Sequence, residues 1–462
     1  MNIRNLVLEN VISILEEKKP LHLVLQASLN GIEDHRDRGF AARLTRGCVE
    51  RAVTLDYCLN RLSKIETGKQ KPVIRNILRC GLYQILFMDS VSDFAACDES
   101  VKLAVKRGFG RLKGVINGIL RSACRSREEL LSIINAEGQE NFCIKYSVPK
   151  WIADDLTAQF GEEKSEEIFK YFLKENPVSV RGNISRNTAE TVFALLERSS
   201  AENGSLVKKS RYIDYCFTVE RSRDTSVIDL TGTKAFKEGA FVVQDFSSVL
   251  VGYVADKAFK RITGENKGVV KGRVLDLCAA PGGKSMHMAD LGYEVTSCDI
   301  SESKLKLIRE AAARCGFDKV KILENDASVY NKDFEDAYDI VICDLPCSGL
   351  GIIGKKPDIK YNMTEEKSAE LAALQRKILE NAVKYIRDGG ILIFSTCTLR
   401  TCENADNVSF IKELPKIEGV SLAGLLPEGI KAGKDDCFVQ ILPGDYGSDG
   451  FWISCFRKES FK

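Results

Sequence analysis

Histidine is almost missing from this chain: among 462 residues only His22, His35 and His287 occur. The sixteen cysteines are scattered and never form a C-x-x-C pair. With no histidine cluster beside them, neither a zinc or other metal site nor a disulfide framework is expected; reduced thiols of a cytoplasmic protein fit better. Long uncharged apolar runs are missing too, so no membrane span is expected. The opening stretch Met1–Pro20 carries Glu9, Glu16 and Glu17 among its apolar residues, unlike a signal peptide. The net charge is only +2, but it is unevenly spread. Residues 1–150 hold 24 lysines and arginines against 17 acids, and the remainder 43 against 48. The basic end is the natural partner for a polyanion. What is present, 44% apolar and 29% charged residues over 462 positions, describes a globular chain of two or three domains.

Apolar residues recur at helical spacing from Asn2 to Ser28, from Asp37 to Leu62 and from Val73 to Phe87. These stretches predict amphipathic helices of an all-helical domain. Val101 to Arg127 then carries eight basic residues and no acid, interrupted by Gly108, Gly110 and Gly114. A charge run is usually a solvated helix face. Here one sign dominates and glycines permit close backbone approach, so Lys102, Lys106, Arg107, Arg111, Lys113 and Arg121 are candidate RNA contacts. Three segments, Asp37–Phe40, Ile74–Phe87 and Gly114–Arg121, resemble the NusB family of RNA-binding helical domains. We take 1–144 as this domain, 145–235 as a small α+β linker module, and 236–462 as a third, catalytic domain.

The stretch Val274–Ser285 organises that third domain. Val274-Leu-Asp-Leu277 suits a buried parallel strand, Pro281-Gly282-Gly283 turns the chain, and a helix-compatible segment follows at once. Strand, glycine turn and helix start make a nucleotide site, because glycine lets backbone approach a ligand and a helix N-terminus favours acceptor groups. Asp299 ends the next strand, about where an acid meets ribose hydroxyls. Gly283-Lys284-Ser285 also matches the end of a P-loop, but Cys278 stands where that loop needs glycine. ATP hydrolysis is therefore disfavoured. Strands are expected at Val274–Leu277, Glu294–Cys298, Val320–Leu323, Tyr338–Cys343 and Gly390–Thr396, alternating with helices. Phe438–Leu442 and Phe451–Phe456 read as a terminal hairpin. The pattern predicts a doubly wound sheet with ligands at the carboxyl ends of its strands.

Three successive predicted strands end in Asp299, Asp326 and Asp344, and so line one crevice. Cys347 and Cys397 follow the fourth and fifth strands. Most cysteines here are small buried hydrophobes. These two open onto the crevice, where a thiol near Lys284 can act as a nucleophile. The residues Cys278-Ala279-Ala280-Pro281-Gly282-Gly283-Lys284, Asp299, Asp326, Asp344-Leu-Pro-Cys-Ser-Gly349, Ser395-Thr-Cys-Thr398 and Glu403-Asn404 resemble the Nol/Nop/Sun family of RNA cytosine-5 methyltransferases. The resemblance implies a Rossmann-like α/β methyltransferase fold binding S-adenosylmethionine through Cys278–Lys284, Asp299, Asp326 and Asp344. It further implies Cys397 as the thiol that attacks carbon 6, Cys347 as the group assisting release, and Asp344 with Lys284 as catalytic partners. A NusB-like domain before such an enzyme is the arrangement of members that methylate 16S ribosomal RNA, here expected to act as a cytoplasmic monomer. Transfer RNA or 23S ribosomal RNA is the alternative substrate. A NusB-like RNA-binding factor with an inactive methyltransferase fold is the alternative of another class, and the retained cysteines weigh against it.

Overall fold

Short polar residues and prolines set the helix ends in the N-terminal half. The computed structural model describes residues 2–201, 204–220, 230–264, 271–433 and 436–459. The stretch read as one helical pattern from Asn2 to Ser28 is two helices, Ile3–Leu15 and Leu21–Leu29. The Asn2 side chain caps the first, and Pro20, which lacks an N–H, precedes the second. Asp34 caps His35–Glu50 by accepting from the amides of Arg36 and Asp37, and Ala52–Leu62 follows. Pro72–Phe87 begins with proline, where a missing N–H costs nothing, and is buried over most of its length. Asp93–Lys106 and Lys113–Arg125 pack around it.

The chain divides into two compact units, Met1–Lys174 with Ile353–Thr364, and Glu175–Ile352 with Glu365–Lys462. This boundary cuts across the 145–235 stretch. The helices Lys150–Phe160 and Glu162–Phe172 belong to the first unit, and the strands from Val178 onward belong to the second. Ile353–Thr364 is a strap: it follows the Cys347 loop in sequence but folds into the helical unit. Its Lys360 ammonium is buried and donates to the carbonyls of Glu50 and Ser147, each at 2.7 Å. The Tyr361 hydroxyl donates to the Val49 carbonyl at 2.8 Å.

Two sheets build the second unit. The smaller is antiparallel and consists of β1 (Val178–Gly182), β2 (Leu206–Lys209), β3 (Cys216–Glu220) and β4 (Phe241–Val243), in the order β2-β3-β1-β4. The larger comprises β5 (Lys271–Asp276), β6 (Tyr293–Asp299), β7 (Lys321–Glu324), β8 (Tyr338–Asp344), β9 (Ile386–Thr396), β10 (Ile417–Gly419), β11 (Phe438–Ile441) and β12 (Phe451–Lys458). Its order is β10-β12-β9-β8-β5-β6-β7, with β11 paired to β12. Strands β5 to β9 are mutually parallel, and β12 runs antiparallel to β9. Strand order reverses between β5 and β8, so the ligand crevice of a doubly wound sheet opens at their carboxyl ends.

The expected Rossmann-like sheet is present, with each predicted strand in place. Strands β2 and β10 lay outside the sequence reading, being short and without an alternating pattern. The terminal hairpin does more than expected: β12 is inserted beside β9, and its residues Phe451–Phe456 are all buried. The lysine- and glycine-bearing stretch Lys260–Lys271 reads from sequence as a surface loop; the helix Phe246–Thr263 takes in its first residues, and residues 265–270 lie outside the described residues.

Candidate active site

The turn after β5 requires glycine at one position. Gly282 has φ +103°, a left-handed conformation that disfavours side chains, and it caps the helix Gly283–Asp290. Gly283 faces Gln244: a Cβ there lies 3.4 Å from the Gln244 side-chain nitrogen, at ordinary van der Waals contact. The amide of Ala279 donates to the Cys298 carbonyl at 2.9 Å, tying the turn to β6. Asp299, at the end of β6, is nearly fully buried. One of its oxygens accepts the Ala280 amide at 3.0 Å, and the other accepts the Ile300 amide at 2.8 Å and the Lys304 ammonium at 2.9 Å. Asp299 thus braces the turn and keeps acceptor capacity toward the crevice. Asp326 is exposed after β7, where Ser328 caps it through both amide and hydroxyl.

Asp276 ends β5 out of contact with water. Only the Ser285 hydroxyl donates to it, at 2.6 Å, and its second oxygen has no partner among the described residues. Burial pushes its carboxyl up to about 7.

Lys284 and Asp344 form the next layer. The ammonium is almost buried, lies 5.3 Å from the Phe451 ring centre and donates to Asp344 at 2.6 Å and to the Ser248 hydroxyl at 3.0 Å. The other Asp344 oxygen accepts the Ser395 hydroxyl at 2.8 Å. Both carboxylate oxygens are therefore held, and the group faces the crevice half-exposed.

Two half-buried thiols complete the site. Cys347 and Cys397 place their sulfurs 3.3 Å apart on the loops that leave β8 and β9. The loops are stitched together: the Gly351 amide donates to the Cys397 carbonyl at 3.0 Å, and the Ser348 and Thr398 hydroxyls meet at 2.6 Å. Buried Glu403 accepts the Ser348 amide at 2.9 Å, the Gln375 amide at 3.0 Å and the Ser368 hydroxyl at 2.6 Å. Gln375 also donates to the Pro346 carbonyl at 2.8 Å. Contact with the Cys397 sulfur and burial push the Cys347 thiol well up.

The crevice therefore assembles Cys278–Lys284, Asp299, Asp344, Cys347 and Cys397, with Asp326 at its rim. Residue-level reading missed Ser248, Gln244, Gln375 and Ile300. Ile300, directly after Asp299, is 55% exposed, an apolar wall left open beside the acid. The sequence from Gly239 to Asp245 reads as a strand leading into a helix from Phe246 to Ala258, but nothing in it points to Lys284.

The six basic candidates stand on the helical unit. Lys102 is paired with Asp98 at 2.7 Å and Glu99 at 3.0 Å, and Arg107 is paired with Glu9. Lys106, Arg111, Lys113 and Arg121 are exposed and form no ion pair among the described residues.

Residues 267–457 match the model of a family described as 16S rRNA methyltransferase RsmB/F, and residues 1–125 match the NusB family. The chain is 32% identical to the probable ribosomal RNA small subunit methyltransferase B of Bacillus subtilis (strain 168), over 99% of both chains. It is 30% identical to the ribosomal RNA small subunit methyltransferase B of Klebsiella pneumoniae (strain 342), over 98% of this chain and 97% of that one. The chain belongs to the ribosomal RNA small subunit methyltransferase B family. It is an S-adenosylmethionine-dependent enzyme that methylates carbon 5 of cytosine in ribosomal RNA. The solved structure of PH0851 shares the fold, with a TM-score of 0.77 at 22% identity over 99% of each chain. The residues at hand fit the cofactor of this family: a glycine turn for close approach, a braced acid with acceptor capacity, and apolar Ile300 beside it. Among the described residues no His, Cys, Asp or Glu side chains cluster as a metal site.

Proposed function

We propose that the protein methylates a cytosine of 16S ribosomal RNA through a covalent thiol adduct, with Cys397 as nucleophile and Cys347 as the group assisting release. The observation that carries this reading is the pair of sulfurs 3.3 Å apart at the ends of neighbouring strands, next to the Lys284–Asp344 pair. Carbon 5 of cytosine is too poor a nucleophile unaided. The Cys397 thiolate adds to carbon 6, and the electron pair of the 5,6 double bond moves to carbon 5. Asp344 supports the charge developing at ring nitrogen 3 and the amino group, with Lys284 and Ser395 holding its two oxygens in place. S-adenosylmethionine, held by Cys278–Lys284, Asp299 and Asp326, supplies the sulfonium methyl. Once carbon 5 carries the methyl, its proton passes to a water molecule, the electron pair left behind re-forms the 5,6 double bond, and the sulfur–carbon 6 bond breaks with its pair returning to Cys397 as thiolate. Cys347, whose sulfur lies 3.3 Å from that of Cys397, is placed to donate a hydrogen bond to the Cys397 sulfur as it departs. The target base must be unstacked to reach both thiols.

Residues 1–144 supply RNA affinity, chiefly through Lys106, Arg111, Lys113 and Arg121. The reading places the enzyme in the cytoplasm as a monomer. Its test is an adduct assay with 16S ribosomal RNA and S-adenosylmethionine. Cys347→Ala should methylate and then stall as a protein–RNA adduct that survives denaturing electrophoresis, whereas Cys397→Ala should give neither adduct nor product. Adducts from Cys397→Ala alone would reverse the two roles. Full activity in both variants would reduce both cysteines to packing residues.

A further inference from the structure

The small sheet β1–β4 holds a buried cation. Arg181 on β1 is fully buried, and its Nη1 donates to Asp290 at 2.7 Å. A buried ion pair gains little over apolar residues of the same volume. Here it also leaves Arg181 Nη2 without a partner among the described residues. The remaining donor, Nε, is aimed at the Gln244 carbonyl oxygen, 2.9 Å away. Gln244 follows β4, and its backbone amide is pinned to the Ser179 carbonyl on β1 at 3.1 Å.

From Gln244 the bonds lead to the catalytic pair. Its side-chain nitrogen donates to the Ser248 hydroxyl oxygen at 3.3 Å, which also accepts Lys284 Nζ at 3.0 Å. Lys284 Nζ then donates to Asp344 at 2.6 Å. A guanidinium and an ammonium are both donors only. The guanidinium obliges Gln244 to turn its oxygen toward β1 and its NH2 toward Ser248. Both lone pairs of the Ser248 oxygen are then engaged, one of them by Lys284.

We infer that Arg181, Gln244 and Ser248 are positioning residues, a directed hydrogen-bond chain that holds Lys284 against Asp344 during methyl transfer. The inference rests on the reading of Lys284 and Asp344 as the catalytic pair. It gives the small sheet a part in the reaction beyond joining two halves of the chain.

The experiment is steady-state methylation of 16S ribosomal RNA by the full chain, with cofactor affinity from calorimetry and folding checked by thermal melting. Gln244→Ala and Ser248→Ala should each lower kcat about tenfold, and the double variant no further, because residues of one chain are not additive. KM for RNA and affinity for S-adenosylmethionine should stay within about twofold, as expected when only the transition state loses an interaction. Ser248→Thr, which keeps the hydroxyl, should restore turnover; a packing role for Ser248 would not predict that. Unchanged kcat in Gln244→Ala and Ser248→Ala, beside an inactive Lys284→Ala, would overturn the chain and leave the catalytic pair standing. Additive losses in the double variant would also overturn it. A fully active Lys284→Ala would instead overturn the reading of the pair, and this inference with it.

Discussion

A single carboxyl group shows how far burial bends ordinary chemistry in this site. Asp276 sits fully buried at the end of β5 with one hydroxyl donor, and burial raises it from an ordinary value of 3.8 to about 7. The folded chain therefore holds a proton that the unfolded chain has released. Stability from this residue is fully present below about pH 4 and is lost as pH rises through about 7. Asp276→Asn stays neutral throughout. Urea unfolding should find the variant gaining on the parent between about pH 5 and pH 8. A gap independent of pH would mean that Asp276 is ionised at both ends of the range. Asp299 is nearly as buried, but two amides and the Lys304 ammonium donate to it. Two acids at neighbouring strand ends thus serve differently, and their donors decide which does what.

At the scale of elements, the strap Ile353–Thr364 is the segment whose place is least expected from its neighbours in sequence. It follows the Cys347 loop closely, yet Lys360 and Tyr361 bond to carbonyls of Val49, Glu50 and Ser147 in the helical unit. Lys360→Ala removes both donors from the Glu50 and Ser147 carbonyls. It should destabilise the helical unit by about 1–3 kcal/mol, the range for buried groups left unsatisfied. Chemical denaturation of the full chain measures this; an unchanged midpoint and slope would show that the strap is only loosely seated. A fragment beginning near Ser147 would carry Lys360 and Tyr361 without Glu50 and Val49. RNA recruitment is therefore better tested by point substitution in the intact chain.

For the whole molecule, recruitment is a matter of which charges are free. Lys102 and Arg107 spend their charge on acids of their own unit, whereas Arg111, Lys113 and Arg121 do not. Replacing the last three by alanine should weaken binding to ribosomal RNA and flatten its salt dependence, by up to about 0.7–0.9 in logarithmic slope per lost phosphate contact. Lys102→Ala should change little. Affinity measured across a salt series decides between them, and equal losses from both variants would assign the binding to overall charge.

Much of the catalytic unit was legible in the chain. Local chemistry specifies a glycine turn after an apolar strand, and strands that end in acids must open on one crevice. The spacing of Cys347 and Cys397 after consecutive strands already placed both thiols there. Tertiary structure alone decided the rest, because it rests on contacts between residues far apart in sequence. No periodicity marks Arg181 as the far end of a chain reaching Lys284, since the bonds run from β1 through the residue after β4 to two helices. Nor does composition separate the spent charge of Lys102 from the free charge of Arg121. That difference depends on which acids the packed helices bring within reach.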